Sequence, residues 1–255
     1  MNSPTRHHWQ ADETLLAVLH NALRRDDDET YLATLLDVGL VVPTDQSGED
    51  WALAETDSGT MVVVFSSVEA MHASPAGSAM TYVVRPVIDL VHAWPHRKWS
   101  LLIDGTQDTQ VLIDADAVAE LAERAAELYP LDAAIRAAAG HPRAYLRALL
   151  SADVIVPMRP KGSPTRDLAN PGFAWWHTDH SSNVPSIALF TSAVRLQVSL
   201  GDVPWLAAPF TKVLEHWPDG CAAAVDPDHQ VAMSLPAEAM DGMAVALHAT
   251  NRPAT

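Results

Sequence analysis

Apolar and polar positions at the start of the chain follow first a helical period and then a strand-like run. Apolar residues recur every three or four positions between residues 13 and 25, and Asp12 is a suitable N-cap, which predicts an amphipathic helix. A second short helix is predicted for YLATLLDV (31–38), followed by the buried strand LVVP, which Pro43 closes. Between them, Gly39 is expected to end the helix in the left-handed conformation.

The pattern that follows predicts alternating strands and short helices. TMVVVF and MTYVVR have the composition of strands, and SSVEAM between them starts with serines that can cap a helical turn. Pro86 is expected to open the helix PVIDLVHAW, since proline at a first helical turn loses no hydrogen bond. WSLLID and QVLID, separated by DGTQD, predict a β-hairpin, and residues 114–128 predict a helix. This order of elements predicts a mixed α+β layer fold rather than a series of βαβ units.

One phrase of the sequence occurs twice. YLATLLDVGLVVP (31–43) and YLRALLSADVIVP (145–157) are identical at six of 13 positions, with an offset of 114. Chance identity in a chain of this composition is about one position in ten. The match therefore indicates an internal duplication.

Later landmarks recur in the same order, and the offset changes only across segments rich in turn-forming residues. The landmark pairs are VFSS (64–67) with LFTS (189–192), HAWP (92–95) with EHWP (215–218), and LLID (101–104) with AAVD (223–226). We therefore predict two tandem, similar sheet-and-helix domains, residues 10–129 and 130–250, related by a pseudo-twofold axis. Gly39 corresponds to Asp153, which tolerates a left-handed conformation less well.

Composition limits the class of protein. Hydrophobic residues make up 48% of the 255 residues and the mean hydropathy is +0.02, which is typical of a globular protein. Apolar runs stay shorter than the roughly 18 residues of a membrane span, and the N-terminus lacks the apolar block of a signal peptide. Cys221 is the single cysteine, so an internal disulfide is excluded. We expect a cytoplasmic protein and a buried, unreactive Cys221.

The charge is strongly acidic, with 32 Asp and Glu against 16 Lys and Arg and a net charge of −16. Such a surface repels nucleic acid phosphates and anionic lipids, so neither is expected as a partner. Solubility is the simplest explanation of the acidic balance. Attraction of a basic protein partner is the more specific one.

The repeated motifs resemble the N-terminal domain of the SseB family. The first copy carries YLATLLDVGLVVP, VVVFSS and RPVIDLVHAWP, and the second carries YLRALLSADVIVP, IALFTS and APFTKVLEHWP. Members include proteins named enhanced serine sensitivity protein and type III secretion-associated protein, and the resemblance implies a non-enzymatic bacterial protein. SLPAEAM (234–240) resembles the acidic Leu-Pro segment of the family, whereas IDADAV (113–118) in the first copy lacks the proline. The two halves are therefore expected to differ in role.

A short polar segment, WWHTDHSSN (175–183), is the strongest candidate for a chemical site. His177, Asp179 and His180 are ligand types suited to zinc or another transition metal. The first copy has ETDSG (55–59) at this place, without histidine, so a polar hairpin tip is the simpler interpretation. The sequence lacks the motifs GxSxG, GxGxxG, the Walker loop and the EF-hand, which disfavours hydrolase, nucleotide and calcium sites.

Tryptophan is the other unusual feature, with eight residues in the chain. Trp94 and Trp217 occupy matching positions and are expected in the two cores. Trp175 and Trp176 are adjacent, so in a strand they face opposite sides, and one of them is expected to point away from the core. Exposed tryptophan is typical of protein interfaces, which makes this pair the candidate interaction site.

The sequence thus predicts a non-enzymatic, cytosolic protein-interaction module without a cofactor. Its partner is expected to be a protein, either basic or secreted, and the module to be a secretion-associated chaperone or adaptor or a toxin-neutralising immunity protein. The alternative is a metal-dependent enzyme or metal-binding protein centred on His177 and His180. The sequence does not indicate the oligomeric state.

Overall fold

The computed structural model describes residues 13–25, 27–44, 51–57, 59–74, 81–105, 110–137, 142–160, 165–178, 184–229 and 232–250. The chain forms two compact units that divide between Leu128 and Tyr129. The ranges predicted from the sequence divide one residue later. We call the unit up to Leu128 the first repeat and the unit from Tyr129 the second repeat.

Each repeat contains five helices and six strands among its described residues. In the first repeat they are α1 (Glu13–Arg24), α2 (Asp28–Leu35), β1 (Gly39–Thr44), β2 (Leu53–Thr56), β3 (Gly59–Val64), α3 (Val68–Ala73), β4 (Thr81–Pro86), α4 (Val87–His92), β5 (Ser100–Ile103), β6 (Val111–Ile113) and α5 (Ala115–Leu128). In the second repeat they are α6 (Pro130–Ala137), α7 (Pro142–Leu150), β7 (Asp153–Pro157), β8 (His177–Thr178), β9 (Ser186–Leu189), α8 (Ala193–Leu200), β10 (Trp205–Pro209), α9 (Phe210–Glu215), β11 (Ala222–Val225), β12 (Met233–Leu235) and α10 (Ala237–Thr250).

The two repeats have the same sheet topology. A four-stranded sheet has the order β2-β3-β5-β6 in the first repeat and β8-β9-β11-β12 in the second. In each, the two central strands are parallel and the outer strands are antiparallel to them. A two-stranded antiparallel ribbon, β1-β4 or β7-β10, accompanies each sheet. This correspondence confirms the α+β class and the duplication, strand for strand.

A backbone bridge joins the ribbon to the end of a central strand in each copy. Val41 pairs with Phe65 in the first repeat and Ile155 pairs with Phe190 in the second. Both phenylalanines come directly after a central strand, and a serine two residues later, Ser67 or Ser192, caps the helix that follows. The parallel pairing of the central strands requires a long crossover, which this helix, the ribbon strand and one further helix provide.

Three elements lie outside the predicted outline. The edge strands β2 and β8 are short and contain no fully buried residue, and their sequences lack the apolar alternation that indicates a strand. Helix α10 contains Gly242, which weakens its helical pattern. The predicted hairpin of β5 and β6, and the predicted serine cap of α3, are confirmed.

The prediction for Gly39 is wrong. Helix α2 ends at Leu35 with a right-handed residue after it, and Gly39 is the first residue of β1, paired with Pro86. In the second repeat Asp153 starts β7 and pairs with Pro209 in the same way. Because an extended strand residue needs no left-handed conformation, Asp153 replaces the glycine without backbone strain.

The cores contain the aliphatic and aromatic residues of both sheet faces and the helices around them. Trp217 (7% exposed) and Cys221 (6% exposed) lie in the core of the second repeat, where Trp217 Nε1 donates to the Cys221 carbonyl at 2.9 Å. Both were expected there. Trp94 is half-buried and packs edge-on against Trp51, with ring centres 5.9 Å apart. Among the described residues, no helix combines the length and apolarity needed to cross a membrane.

Candidate functional site

An aspartate follows the second central strand of each repeat. Asp104 comes after β5 and Asp226 after β11, and both have a positive φ, 52° and 46°. Aspartate is one of the few non-glycine residues that adopt this conformation readily. Both carboxylates are almost fully buried, with Asp104 2% exposed and Asp226 0% exposed. The turn therefore directs a carboxylate into each repeat at the carboxyl end of the parallel strands.

The same hydrogen bonds hold both carboxylates. Asp104 accepts from the backbone N–H of Ser66 at 2.9 Å and from Ser66 Oγ at 2.7 Å. Asp226 accepts from the backbone N–H of Thr191 at 2.8 Å and from Thr191 Oγ1 at 2.5 Å. The hydroxyl residue is the first Ser or Thr of the VFSS or LFTS landmark. The two repeats therefore share one buried polar motif.

In the second repeat this motif belongs to a buried ion cluster. Arg195, on α8, donates through both terminal nitrogens to Asp132, on α6, at 2.7 and 2.5 Å. Arg195 Nη1 also lies 3.1 Å from Asp226 Oδ2. All three side chains are 0% exposed. A bidentate guanidinium–carboxylate pair combines charge with fixed geometry, so the cluster fills this region with a specific arrangement.

The cluster also determines the electrostatics of Asp226. Burial raises the pKa of the Asp226 carboxyl above its ordinary value, while the Arg195 guanidinium and the hydrogen bonds from Thr191 act in the opposite direction. Asp132 adds a smaller contribution that raises the pKa, because it places a second negative charge nearby. Arg195 thus forms ion pairs with two buried carboxylates, Asp132 and Asp226.

The first repeat has different residues at the corresponding positions. Ala70 lies three residues after the capping Ser67, as Arg195 lies three residues after the capping Ser192. Alignment of the buried leucines Leu19 and Leu131, both in the first helix of their repeats, places His20 where Asp132 lies. The arginine and one carboxylate of the cluster are therefore replaced by alanine and histidine.

A cavity of about 400 Å³ occupies this region of the first repeat. Its lining includes Asp104, Ser66, Ala70 and His20, together with Tyr31 and leucines of α1 and α2. The size falls within the range of small-ligand sites in proteins. The first repeat thus keeps the buried carboxylate, and a cavity lies in the region that corresponds to the ion cluster of the second repeat.

A buried tyrosine accompanies the carboxylate in each repeat. Tyr31 is 6% exposed and Tyr145 is 1% exposed. Burial raises the pKa of both hydroxyls above the ordinary tyrosine value, and the negative charge of Asp104 or Asp226 adds to the shift. Both tyrosines are neutral across the physiological range and act as packing groups.

Trp175 and Trp176, the predicted interaction pair, are both half-buried. The Trp175 ring packs edge-on against Phe173 at 4.7 Å and against Trp217 at 5.5 Å, on the main core of the second repeat. Trp176 packs on a separate small cluster that includes Phe190. The two rings thus contact different clusters, and their role in an interaction stays a prediction.

His177 is the first residue of β8 and pairs with Ile187. It is half-buried, and burial lowers its pKa, with a further contribution from the positive charge of Arg159. Both residues line a cavity of about 500 Å³ in the second repeat. Asp179 and His180 lie outside the described residues. Within the described part of the chain, no group of three or more His, Cys, Asp or Glu side chains is arranged to hold a metal, and the metal hypothesis stays a prediction.

Sequence reasoning missed the buried ion cluster and the cavity. The landmarks LLID and AAVD were aligned for their apolar residues, although each ends in the aspartate of the motif. A stronger signal was present in the alignment of VFSSVEA with LFTSAVR, which pairs Ala70 with Arg195. An arginine within an apolar helix indicates a buried carboxylate partner. The identity of that partner required the structure, because Asp132 lies on another helix.

Comparison with known proteins identifies the family. The family model for the SseB protein N-terminal domain matches the chain twice, at residues 13–120 and 131–241. These matches cover most of the chain, one in each repeat, so the protein belongs to the SseB family. No curated protein and no solved structure gives a significant match.

Proposed function

We propose that this tandem member of the SseB family is a non-enzymatic, cytoplasmic protein-binding module. The observation that carries the proposal is the difference between the repeats: one fold occurs twice, with a sealed ion cluster in the second copy and an open acidic cavity in the first. The first repeat then contains the binding site, and the second repeat has a structural role.

Charge supports a basic protein ligand. The net charge of −16 attracts positively charged proteins and increases the rate of their association. The rim of the cavity adds apolar surface, because Leu23 is 41% exposed and lines it. A basic residue with a long aliphatic stem suits such a rim. Two roles fit this binding mode: a chaperone or adaptor for a secreted protein, and an immunity protein that neutralises a toxin.

The test is capture of the partner followed by reconstitution. The tagged full chain is used as bait in lysate of the native cell, and a protein retained at physiological salt is purified and mixed again with the chain. We expect a stoichiometric complex from the two purified components. An unrelated protein of similar negative charge is the control bait. The proposal would be contradicted if the chain retained no protein that this control does not retain.

The purified complex also separates the two roles. A chaperone keeps a secreted partner soluble and releases it, whereas an immunity protein abolishes a toxic activity of its partner. Solubility of the partner alone and with the chain, and growth of cells that express the partner alone and with the chain, are the two measurements.

The metal-dependent alternative has its own measurement. Elemental analysis of the purified chain is compared with that of the variant His177→Ala/His180→Ala. We expect well below one equivalent of any transition metal in both. A stoichiometric metal that the double variant loses would favour a metal-binding protein or enzyme over the module proposed here.

A further inference from the structure

We propose that the cavity of about 500 Å³ in the second repeat binds a small aromatic monocarboxylate, with Arg159 receiving the carboxylate and Trp176 contacting the aromatic ring. This inference goes beyond the proposed function, because it adds a small-molecule site to the repeat that has a structural role there. It rests on the lining of the cavity, on the charge available there and on the residues that the first repeat has at the same positions.

The lining of the cavity combines an apolar surface with a few polar side chains. Trp176, Ala188 and Leu200 belong to the small cluster around Phe190 and also line the cavity. The polar side chains are those of Arg159, His177, Thr178, Ser199 and Asp228. An apolar wall with a small number of polar groups is typical of small-molecule sites, and the volume lies in their range.

Arg159 supplies the cation for an anionic ligand. The residue is half-buried, and within the described part of the chain its guanidinium forms no ion pair or hydrogen bond. The chain has 32 acidic against 16 basic residues, so the lack of a carboxylate partner does not come from a shortage of acidic groups. The guanidinium can therefore receive both oxygens of a ligand carboxylate in the bidentate geometry that this pair favours.

The charges around the cavity favour a single negative charge in the ligand. Burial and the positive charge of Arg159 lower the pKa of His177, which favours its neutral form. A neutral imidazole can still donate one N–H to a ligand oxygen. Asp228 is exposed and lines the same cavity, so it repels a dianion such as a phosphate ester more strongly than a carboxylate.

Backbone contacts identify the residue of the first repeat that corresponds to Trp176. Trp175 and Trp51 form equivalent backbone bridges at the ends of β7 and β1. The carbonyl of the next residue accepts from a central strand in both copies: that of Trp176 from β9 at 3.0 Å and that of Ala52 from β3 at 2.9 Å. The first tryptophan thus occurs in both repeats, whereas the second is replaced by alanine in the first repeat.

Two further lining residues also differ between the repeats. His177 corresponds to Leu53, because their partners on the central strands differ by the same offset as VFSS and LFTS. Arg159 corresponds to Asp45 at the offset of 114 of the repeated phrase, so the sign of the charge is reversed. The cation, the imidazole and the indole are thus replaced together in a copy of the same fold. The fold therefore does not require them, which favours a role in binding.

The direct test is titration of the full chain with 2-naphthoate, followed by amide and indole N–H NMR spectra. We expect saturable shifts at Arg159, Trp176 and His177. 2-Naphthamide, which is neutral and has nearly the same shape, should bind about tenfold more weakly or worse, since the charge-assisted hydrogen bonds to Arg159 are lost. Absence of saturable binding at these residues, or equal binding of the amide, would overturn the proposal.

Two further compounds test the ring and the charge of the ligand. The hydrogenated analogue, decahydro-2-naphthoate, should bind about threefold more weakly or worse, because it loses the contact between aromatic rings. 2-Naphthyl phosphate, which is largely a dianion at about pH 8, should bind more weakly than 2-naphthoate because of Asp228. Equal binding of the hydrogenated compound, or tighter binding of the phosphate ester, would overturn the assignment to an aromatic monocarboxylate.

A dipeptide distinguishes a free small molecule from the C-terminus of a polypeptide. N-acetylglycyl-L-tryptophan has an aromatic ring and a carboxylate at a chain end. We expect it to bind more weakly than 2-naphthoate, because its rotatable backbone must be ordered on binding. Tighter binding of the dipeptide would overturn the assignment to a small molecule.

Three variants and a control locate the site. Arg159→Gln should weaken 2-naphthoate binding about tenfold or more, and His177→Leu and Trp176→Ala about threefold or more each. Arg143→Gln removes an exposed positive charge of α7 outside the cavity lining and should leave binding unchanged. Unchanged binding in Arg159→Gln would overturn the proposal. If Trp176→Ala does not fold, the compound series and Arg159→Gln still decide.

The outcomes separate this inference from the proposed function. Absence of naphthoate binding together with a reconstituted partner complex would overturn the small-molecule site and leave the protein-binding function intact. Saturable naphthoate binding without a reconstituted partner complex would support the site and contradict the function.

Discussion

The two repeats differ most in a region that their shared hydrophobic pattern does not determine. Both contain the same strands in the same register, the same bridge to the ribbon and the same serine-capped helix. They differ in the side chains around the aspartate at the end of the second central strand. Hydrophobic positions thus maintain the fold in both copies, while a few polar positions decide whether that region is an ion cluster or a cavity.

The largest expected effect is the removal of Arg195. Arg195→Ala leaves Asp132 and Asp226 buried without their cation, which should lower the free energy of unfolding of the second repeat by about 3–5 kcal/mol. Hydrogen exchange with mass spectrometry during urea unfolding reports each repeat separately. Protection should fall in α6 to α10 and stay unchanged in α1 to α5.

Lys212→Ala is the control for this variant. It removes an exposed ion pair with Glu215 in the same repeat, with the Lys212 side chain 62% exposed, and should cost less than about 1 kcal/mol. Equal losses in the two variants would mean that the cluster contributes no more than a surface pair, and the contrast between the repeats would lose its energetic basis.

A matched leucine pair gives the next largest effect. Leu36 and Leu150 align in the repeated phrase, yet Leu36 is 0% exposed and Leu150 is 39% exposed. Leu36→Ala should lower the free energy of unfolding of the first repeat by about 2–5 kcal/mol, because it creates a buried cavity. Leu150→Ala should cost less than about 1 kcal/mol.

Urea unfolding of the two leucine variants, followed by hydrogen exchange, tests this difference. Comparable losses of unfolding free energy in Leu36→Ala and Leu150→Ala would show that the two repeats bury this position equally in solution. The identical neighbours Leu35 and Leu149, 1% and 0% exposed, provide the reference, since alanine at either should be equally damaging.

Alkaline pH should produce the smallest effect, and the same one in both repeats. The folded protein keeps the hydroxyl protons of Tyr31 and Tyr145, whereas the unfolded chain releases them near pH 10, so the unfolded state binds fewer protons and stability falls as pH rises above 10. Each tyrosine contributes up to about 1.4 kcal/mol per pH unit in that window.

The check is urea unfolding between pH 9 and 11 for wild type, Tyr31→Phe and Tyr145→Phe. Each variant should remove the pH dependence of the free energy of unfolding of its own repeat and leave that of the other repeat unchanged. If neither variant changes this pH dependence, groups other than the two tyrosines cause the loss of stability at alkaline pH.

The sequence predicted the duplication and most of the fold because those features depend on periodic apolar residues. The phrase at 31–43 and its copy at 145–157 each become a helix followed by a strand, with Pro86 and Pro209 as the residues before matching helices. Edge strands β2 and β8 were missed because few of their side chains are buried. Gly39 was misinterpreted because a glycine can start a strand as well as end a helix.

The candidate site was predictable only in part. Repeat alignment pairs Ala70 with Arg195, which is visible in the sequence alone. The pairing of Arg195 with Asp132 crosses 63 positions and depends on how α6 packs near α8, which no local pattern encodes. Chemical reasoning instead favoured WWHTDHSSN, because clustered histidine and tryptophan are conspicuous in a sequence, whereas a buried aspartate after a strand is not.

The short outer strands have a consequence for a chain that contains one topology twice. Two adjacent copies that emerge during synthesis can exchange strands and become trapped in a mixed product. The edge strands have four and three residues in the first repeat and two and three in the second. They therefore offer little free backbone for such mispairing. The short edge strands thus favour strand pairing within each copy over pairing between the copies.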